Sequence, residues 1–260
     1  MSHKKFYLLL IFGLKFLSCF SQKTDTILIT PGIVKINQLK TGTSRYLVYF
    51  KMSPGASRTN TQFWTRTTEP GIQNGIPVFI ITQVWEDKDS IVHTTKSVAD
   101  ASSFQTISHE SWWKQRGSSS FDFTKKEGIL NGIALSDADT SSQKKRVWEA
   151  YKKAWDIFTL NWHLDLEVFS LLPYKEKTTF LIPYYDPGSI APQNVAYTVS
   201  GTAQLEGYDN HKIDCWLLVH EEKGNKEVFW ISKKTNEVLK LEQEINGKMW
   251  RFKIKLSYSN

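Results

Sequence analysis

Histidine, carboxylate and thiol side chains are the groups able to bind a metal or move a proton, and their spacing decides which they do. In Ser108-His109-Glu110-Ser111-Trp112-Trp113 the pair His109-Glu110 begins a zinc-protease pattern, but Trp113 stands where the second His belongs. Two imidazoles on one helical face are therefore missing. Asp137-Ala138-Asp139 opens like a calcium loop and lacks the Gly and the distal Glu of such a loop. His163, Asp165 and Glu167 read as polar groups at a helix end. His211, Asp214 and Cys215 are close in sequence, yet strand alternation sends Asp214 and Cys215 to opposite faces. A Cys-His nucleophile pair needs a partner from elsewhere, and nothing in the sequence selects one. No phosphate-cradling Gly loop, nucleophile elbow or Rossmann fingerprint occurs. The expectation is a protein that is not an enzyme, with no cofactor and no metal.

The elements that must position these residues are mostly strands. Arg45–Lys51, Pro77–Trp85 and Ser90–Thr95 are rich in β-branched and aromatic residues and bounded by Gly, Pro, Asn and Asp. Trp250, Phe252, Ile254 and Leu256 alternate with Arg251, Lys253, Lys255 and Ser257, a period of two. Asn246-Gly247 before them suits a type I′ turn, so residues 237–258 are predicted to form a hairpin. Gly224-Asn225 is predicted to turn strand 213–220 into strand 227–232, giving a four-stranded antiparallel meander at the end of the chain.

One segment is helical by pattern. Val147, Tyr151, Ala154, Trp155, Phe158 and Trp162 recur at three- and four-residue steps, predicting a helix over 142–162. Asp139, Thr140 and Ser141 are its N-cap candidates, and a second short helix is predicted to run up to Leu172-Pro173. Lys144, Lys145, Arg146, Lys152 and Lys153 lie elsewhere around the first helix. They suit either solvation or docking on an anionic membrane surface.

The start of the chain has a different character. His3, Lys4 and Lys5 precede the apolar run Phe6–Leu14, and Ser18-Cys19-Phe20-Ser21-Gln22 places small residues before a cut between Ser21 and Gln22. This is the layout of a secretory signal peptide, and the run is too short to span a membrane. Residues 1–21 are expected to be the leader and 22–260 one domain. Cleavage removes Lys4, Lys5 and Lys15, so 33 basic residues fall to 30 against 26 acidic ones, a net charge of +4 in place of +7. Global basicity then gives little support to nucleic-acid binding. Leu17-Ser18-Cys19 also reads as a loose lipobox that would acylate Cys19. Cys215, the thiol left after cleavage, reads as a small buried hydrophobe.

With 10 Trp, 10 Tyr and 15 Phe in 260 residues the chain is aromatic-heavy. Large rings suit a curved sheet, and a helix presenting Trp155 and Phe158 to such a sheet leaves room for an apolar pocket.

The order of features adds a resemblance. Phe121-Asp122-Phe123, the helix, Leu171-Leu172-Pro173-Tyr174 and Val199-Ser200-Gly201 are followed by Asp214-Cys215-Trp216. Val228-Phe229-Trp230-Ile231-Ser232 and Val238-Leu239-Lys240-Leu241-Glu242 then close the series. This resembles an exported family of unknown function that shares the half-barrel of the lipoprotein carriers LolA and LolB. The resemblance implies an α+β fold: a strongly curved antiparallel sheet with one or two helices covering its concave face. It implies no catalytic residue. The expected function is binding or carriage of a lipid or other hydrophobic molecule in the envelope or periplasm. Trp155, Phe158, Trp216 and Trp230 are the candidate lining, although alternation leaves the direction of Trp216 open. The alternative is an envelope interaction or assembly protein, partnered by another envelope protein, whose core is filled and holds no ligand. Membrane contact is expected only through an acylated Cys19 or through the helix.

Overall fold

The alternating pattern builds one sheet. A computed structural model describes residues 25–207 and 210–257. The predicted leader and its expected cleavage and lipidation positions, Ser21, Gln22 and Cys19, lie outside the described residues.

A first meander runs through β2 (Gly42–Lys51), β3 (Thr59–Gln73), β4 (Ile76–Asp87), β5 (Ser90–Asp100), β6 (Thr106–Trp113), β7 (Gly117–Asp122), β8 (Glu127–Leu130) and β9 (Ile133–Ala134). A second comprises β11 (Thr178–Tyr185), β12 (Gln193–Glu206), β13 (Lys212–Glu222), β14 (Asn225–Ser232), β15 (Val238–Ile245) and β16 (Met249–Lys255). Antiparallel pairing of β16 with β2, Trp250 opposite Lys51 and Lys255 opposite Tyr46, joins the two meanders edge to edge. Two short strands, β1 (Asp25–Leu28) and β10 (Leu160–Asn161), lie parallel along the outer edge of β11.

Turn chemistry fixes the registers. Asn74-Gly75, Asn131-Gly132 and Asn246-Gly247 all hold positive φ at both positions, as a type I′ turn requires. At the β13–β14 corner the same role falls to Lys223-Gly224, one residue earlier than predicted, and Asn225 already opens β14. Bulges at Val48/Phe50, Trp85/Glu86, Val98/Ala99, Val199/Gly201 and Trp230/Ile231 bend the sheet.

The link from β9 to β11 must cross from one end of the sheet to the other. It carries α1 (Ser142–Lys152), β10 and α2 (Asp165–Ser170) over the concave face. The predicted helix to 162 stops ten residues early, at Lys152. Leu160-Asn161 instead pairs with Tyr184-Tyr185, because an open strand edge next to β-branched Ile157 and Thr159 outcompetes another helical turn. Leu166, Val168 and Phe169 of α2 press on Tyr197, Leu218, Phe229 and Leu241, a core that fills the concave face of the second meander. Val147, Trp148 and Tyr151 of α1 form a second core with Phe121, Leu135 and Tyr185. That core draws the ends of the unclosed sheet together: the Phe123 and Tyr185 rings lie 6.0 Å apart.

Candidate functional site

The two halves of the concave face differ in chemistry. Under α2 it is apolar. Across β2–β6 it carries an aromatic row, Tyr46, Trp64, Trp85, His93 and Trp113, each opposite the next. Beside it runs a polar row, Arg66, Gln83, Thr95, Ser111 and Ser119, set by the same registers. Trp64 and Trp85 stack with centroids 3.5 Å apart, and His93 stacks on Trp113 at 3.6 Å.

Arg66 is the hub of the polar row. Its Nε donates to Glu167 Oε1 at 2.9 Å, Nη1 to Gln83 Oε1 at 3.1 Å and Nη2 to the His163 carbonyl at 2.8 Å. Nη2 also donates to Glu167 Oε2, and Asp165 lies 3.5 Å from Nη1. Burial works against the Arg66 charge, but Glu167 outweighs it, with Asp165 adding, and the guanidinium is held above its ordinary pKa. Lys253 approaches Asp165 at 3.7 Å and sits over the Trp64 ring. Its burial prevails over that attraction and pulls the ammonium down to about 8. The network pins the link between α1 and α2 to the sheet.

Three histidines meet beside it. The His163 ring is 4.6 Å from that of His109 and 5.6 Å from that of His93. Asn161 Oδ1 accepts from the His163 backbone N–H, which aims its Nδ2 at His109 Nδ1, 2.9 Å away. Nδ1 of His109 is therefore an acceptor, also reached by Ser97 Oγ at 2.8 Å, and its proton sits on Nε2. His93 is the opposite tautomer, with Nδ1–H donating to the Trp112 carbonyl at 2.8 Å. Burial lowers His93 to about 4 and His109 well below the usual imidazole range; the charge of His163 adds to both. Both rings are neutral in the folded protein near neutral pH.

His163 faces outward from this cluster, with Nε2 3.2 Å from Asp186 Oδ1. The pair lines an open cavity of about 800 Å³. Its walls are β6–β8, one face of α1 and the segment 186–191. Trp113, Leu130, Val147, Ala150 and Ile190 supply apolar surface, and Ser111, Ser119 and Asn131 supply hydrogen-bonding groups. Arg116, Arg146 and Lys153 add positive charge.

A His–Asp pair has the make-up of a general base, yet among the described residues no hydroxyl or thiol is hydrogen-bonded to its imidazole. Among the described residues no group of three or more His, Cys, Asp or Glu side chains is arranged to hold a metal ion.

The residues singled out in sequence scatter over the fold. Trp155 packs on Trp148 and Tyr151 at the edge of the α1 core, with Lys126 over its ring. Phe158 and Trp216 border the α2 core. Trp216 points inward, opposite Ile231, while Trp230 pairs with Leu217 on the other face, under Lys240. None of the four lines the cavity. Cys215 is buried, its thiol pushed up to about 11 by burial. Glu110 is exposed on the face of β6 opposite His109. Asp137 accepts from Trp148 Nε1 and Lys152 Nζ, anchoring α1.

Sequence reasoning missed Arg66 and took Glu167 only for a polar group at a helix end. The signal was present: Arg66 shares the face of Trp64 and Thr68 by alternation, and Glu167 lies between Leu166 and Val168.

A family model described as "Protein of unknown function (DUF3108)" matches residues 45–255. The chain belongs to this family. The DUF3108 match opens in β2 and ends on the last residue of β16, so it spans both strands of the central seam and the whole lining of the cavity. No curated protein matches the chain. Among the described residues no helix is long and apolar enough to cross a membrane.

Proposed function

We propose that this DUF3108 protein is a non-catalytic binding protein of the cell envelope that holds a lipid or similarly amphipathic molecule. The observation that carries the reading is the open cavity between α1 and β6–β8, with its mixed apolar and polar lining. Ligand sites combine apolar walls with a few placed polar groups, and this volume lies within their usual range of roughly 300–1,000 Å³. The ligand seat is under α1, because the face under α2 is filled by Phe169, Tyr197 and Phe229. The predicted leader and the resemblance in sequence order to the LolA and LolB half-barrel would fit carriage outside the cytoplasm. Native mass spectrometry of protein purified from its own envelope, followed by organic extraction, tests this. A co-purifying amphiphile that disappears in Ala150→Trp, which fills the cavity, is the expected result. Ligand-free wild-type protein overturns it.

A second reading, an envelope interaction or assembly protein, is favoured by the filled α2 core and by Ile72 and Ile76, exposed at the tip of the β3–β4 hairpin. Cross-linking at Ile72 in intact cells, with one recurrent protein partner and no extracted ligand, would select it.

A further inference from the structure

We infer that the cavity binds the anionic head group of its ligand through Arg116, Arg146 and Lys153; the inference rests on the binding reading above. Gln143 is followed three and four residues on by Arg146 and Val147, then by Ala150 and by Lys153, which caps α1, so one face of the helix, with Glu149 at its margin, carries its contribution to the cavity. Arg116 comes from the β6–β7 turn opposite, its guanidinium 5.3 Å from the centroid of the Trp113 ring. The cations thus converge from two separate elements.

Their pairing state sets them apart from neighbouring charges. Lys144 pairs with Asp139, and Lys152 with Asp137 and Glu149, on the adjoining strip of the same helix. Among the described residues no carboxylate lies within 4 Å of Arg116, Arg146 or Lys153. The two acids of the lining are already engaged, Glu149 by Lys152 at 2.7 Å and Asp186 by His163 at 3.2 Å. A concave wall with uncompensated charge of one sign focuses the field and concentrates ions of the other. Arginine side chains in particular match the oxygens of phosphate or carboxylate. Trp113, Val147 and Ile190 then face the apolar part of the ligand.

Isothermal titration calorimetry with dodecyl phosphate, monolauroylglycerol and inorganic phosphate separates the claims, using the wild type and Arg116→Gln/Arg146→Gln/Lys153→Gln. These side chains are exposed, so the variant is expected to keep its near-UV circular dichroism. Dodecyl phosphate is expected to bind about tenfold or more tightly than the neutral monolauroylglycerol, and the variant to lose that preference. Equal affinities in the wild type, or a preference that survives the substitutions, overturns the anionic site and leaves the binding reading standing. Inorganic phosphate binding as tightly as dodecyl phosphate supports the anion site and overturns the amphiphile reading. Failure of all three to bind overturns both.

Discussion

Arg66 on β3 and Glu167 on α2 stand 101 residues apart and meet side by side inside the protein, Nε to Oε1 at 2.9 Å. Neither is solvated, so each charge depends on the other, and the pair holds the crossing segment to the sheet. Removing one partner from a buried pair costs more than the pair itself contributes. Arg66→Met is therefore expected to destabilise the protein by about 3–5 kcal/mol. The double variant Arg66→Met/Glu167→Leu is expected to regain most of that loss. Urea unfolding midpoints check both.

Acid stability follows from the buried imidazoles. His93 takes up a proton near pH 4 when folded against 6.5 in the free side chain, and burial, with His163 adding, also holds His109 well below the usual imidazole range. Between these values the unfolded chain binds more protons, so stability falls as pH drops below 6.5. The loss from His93 is complete at about 4. Each histidine contributes a slope of about 1.4 kcal/mol per pH unit within its window. His93→Gln is expected to remove its share of the slope between pH 6 and 4.5, measured by chemical denaturation at stepped pH.

Gly117 holds φ at +83°, and a Cβ there would lie 1.9 Å from Asn131 Oδ1. That oxygen accepts from the Ser118 backbone N–H at 2.8 Å. Gly117→Ala is expected to cost about 1–3 kcal/mol through backbone strain and the displaced hydrogen bond. Asn131→Ala, which removes only the hydrogen bond, is expected to cost less. Differential scanning calorimetry of the two variants distinguishes them.

The predicted leader can be tested directly. Intact mass of the exported protein is expected to begin at Gln22, and Cys19→Ser to leave membrane fractionation unchanged. A mature chain that begins at an acylated Cys19 would establish the lipobox alternative.

Much of this fold was legible because strands announce themselves locally. Trp250 to Ser257 alternate in the sequence and Asn246-Gly247 turns as its chemistry requires. The end of α1 was hidden, because the competitor for residues 153–161 is the edge of β11, which no local pattern shows. The site was hidden for a related reason. Arg66, His93, His109, His163 and Asp186 come from β3, β5, β6, the crossing segment and the β11–β12 loop, and none lies near another in sequence except through the fold. Trp216 and Trp230 drew attention by size, although β13–β14 pairing sends them to opposite faces.

The seam between β16 and β2 has a bearing on how the molecule is made. Its partners, Trp250 with Lys51 and Phe252 with Tyr49, stand about 200 residues apart in a chain of 260. Pairings at such separation carry a large loop-closure penalty and slow the approach to the native state. A ribosome that has delivered β2 through β15 has delivered two unjoined meanders, each with an open edge. The sheet becomes continuous only when residues 249–255 arrive. Until then each meander presents an open strand edge, a template for aggregation that needs protection.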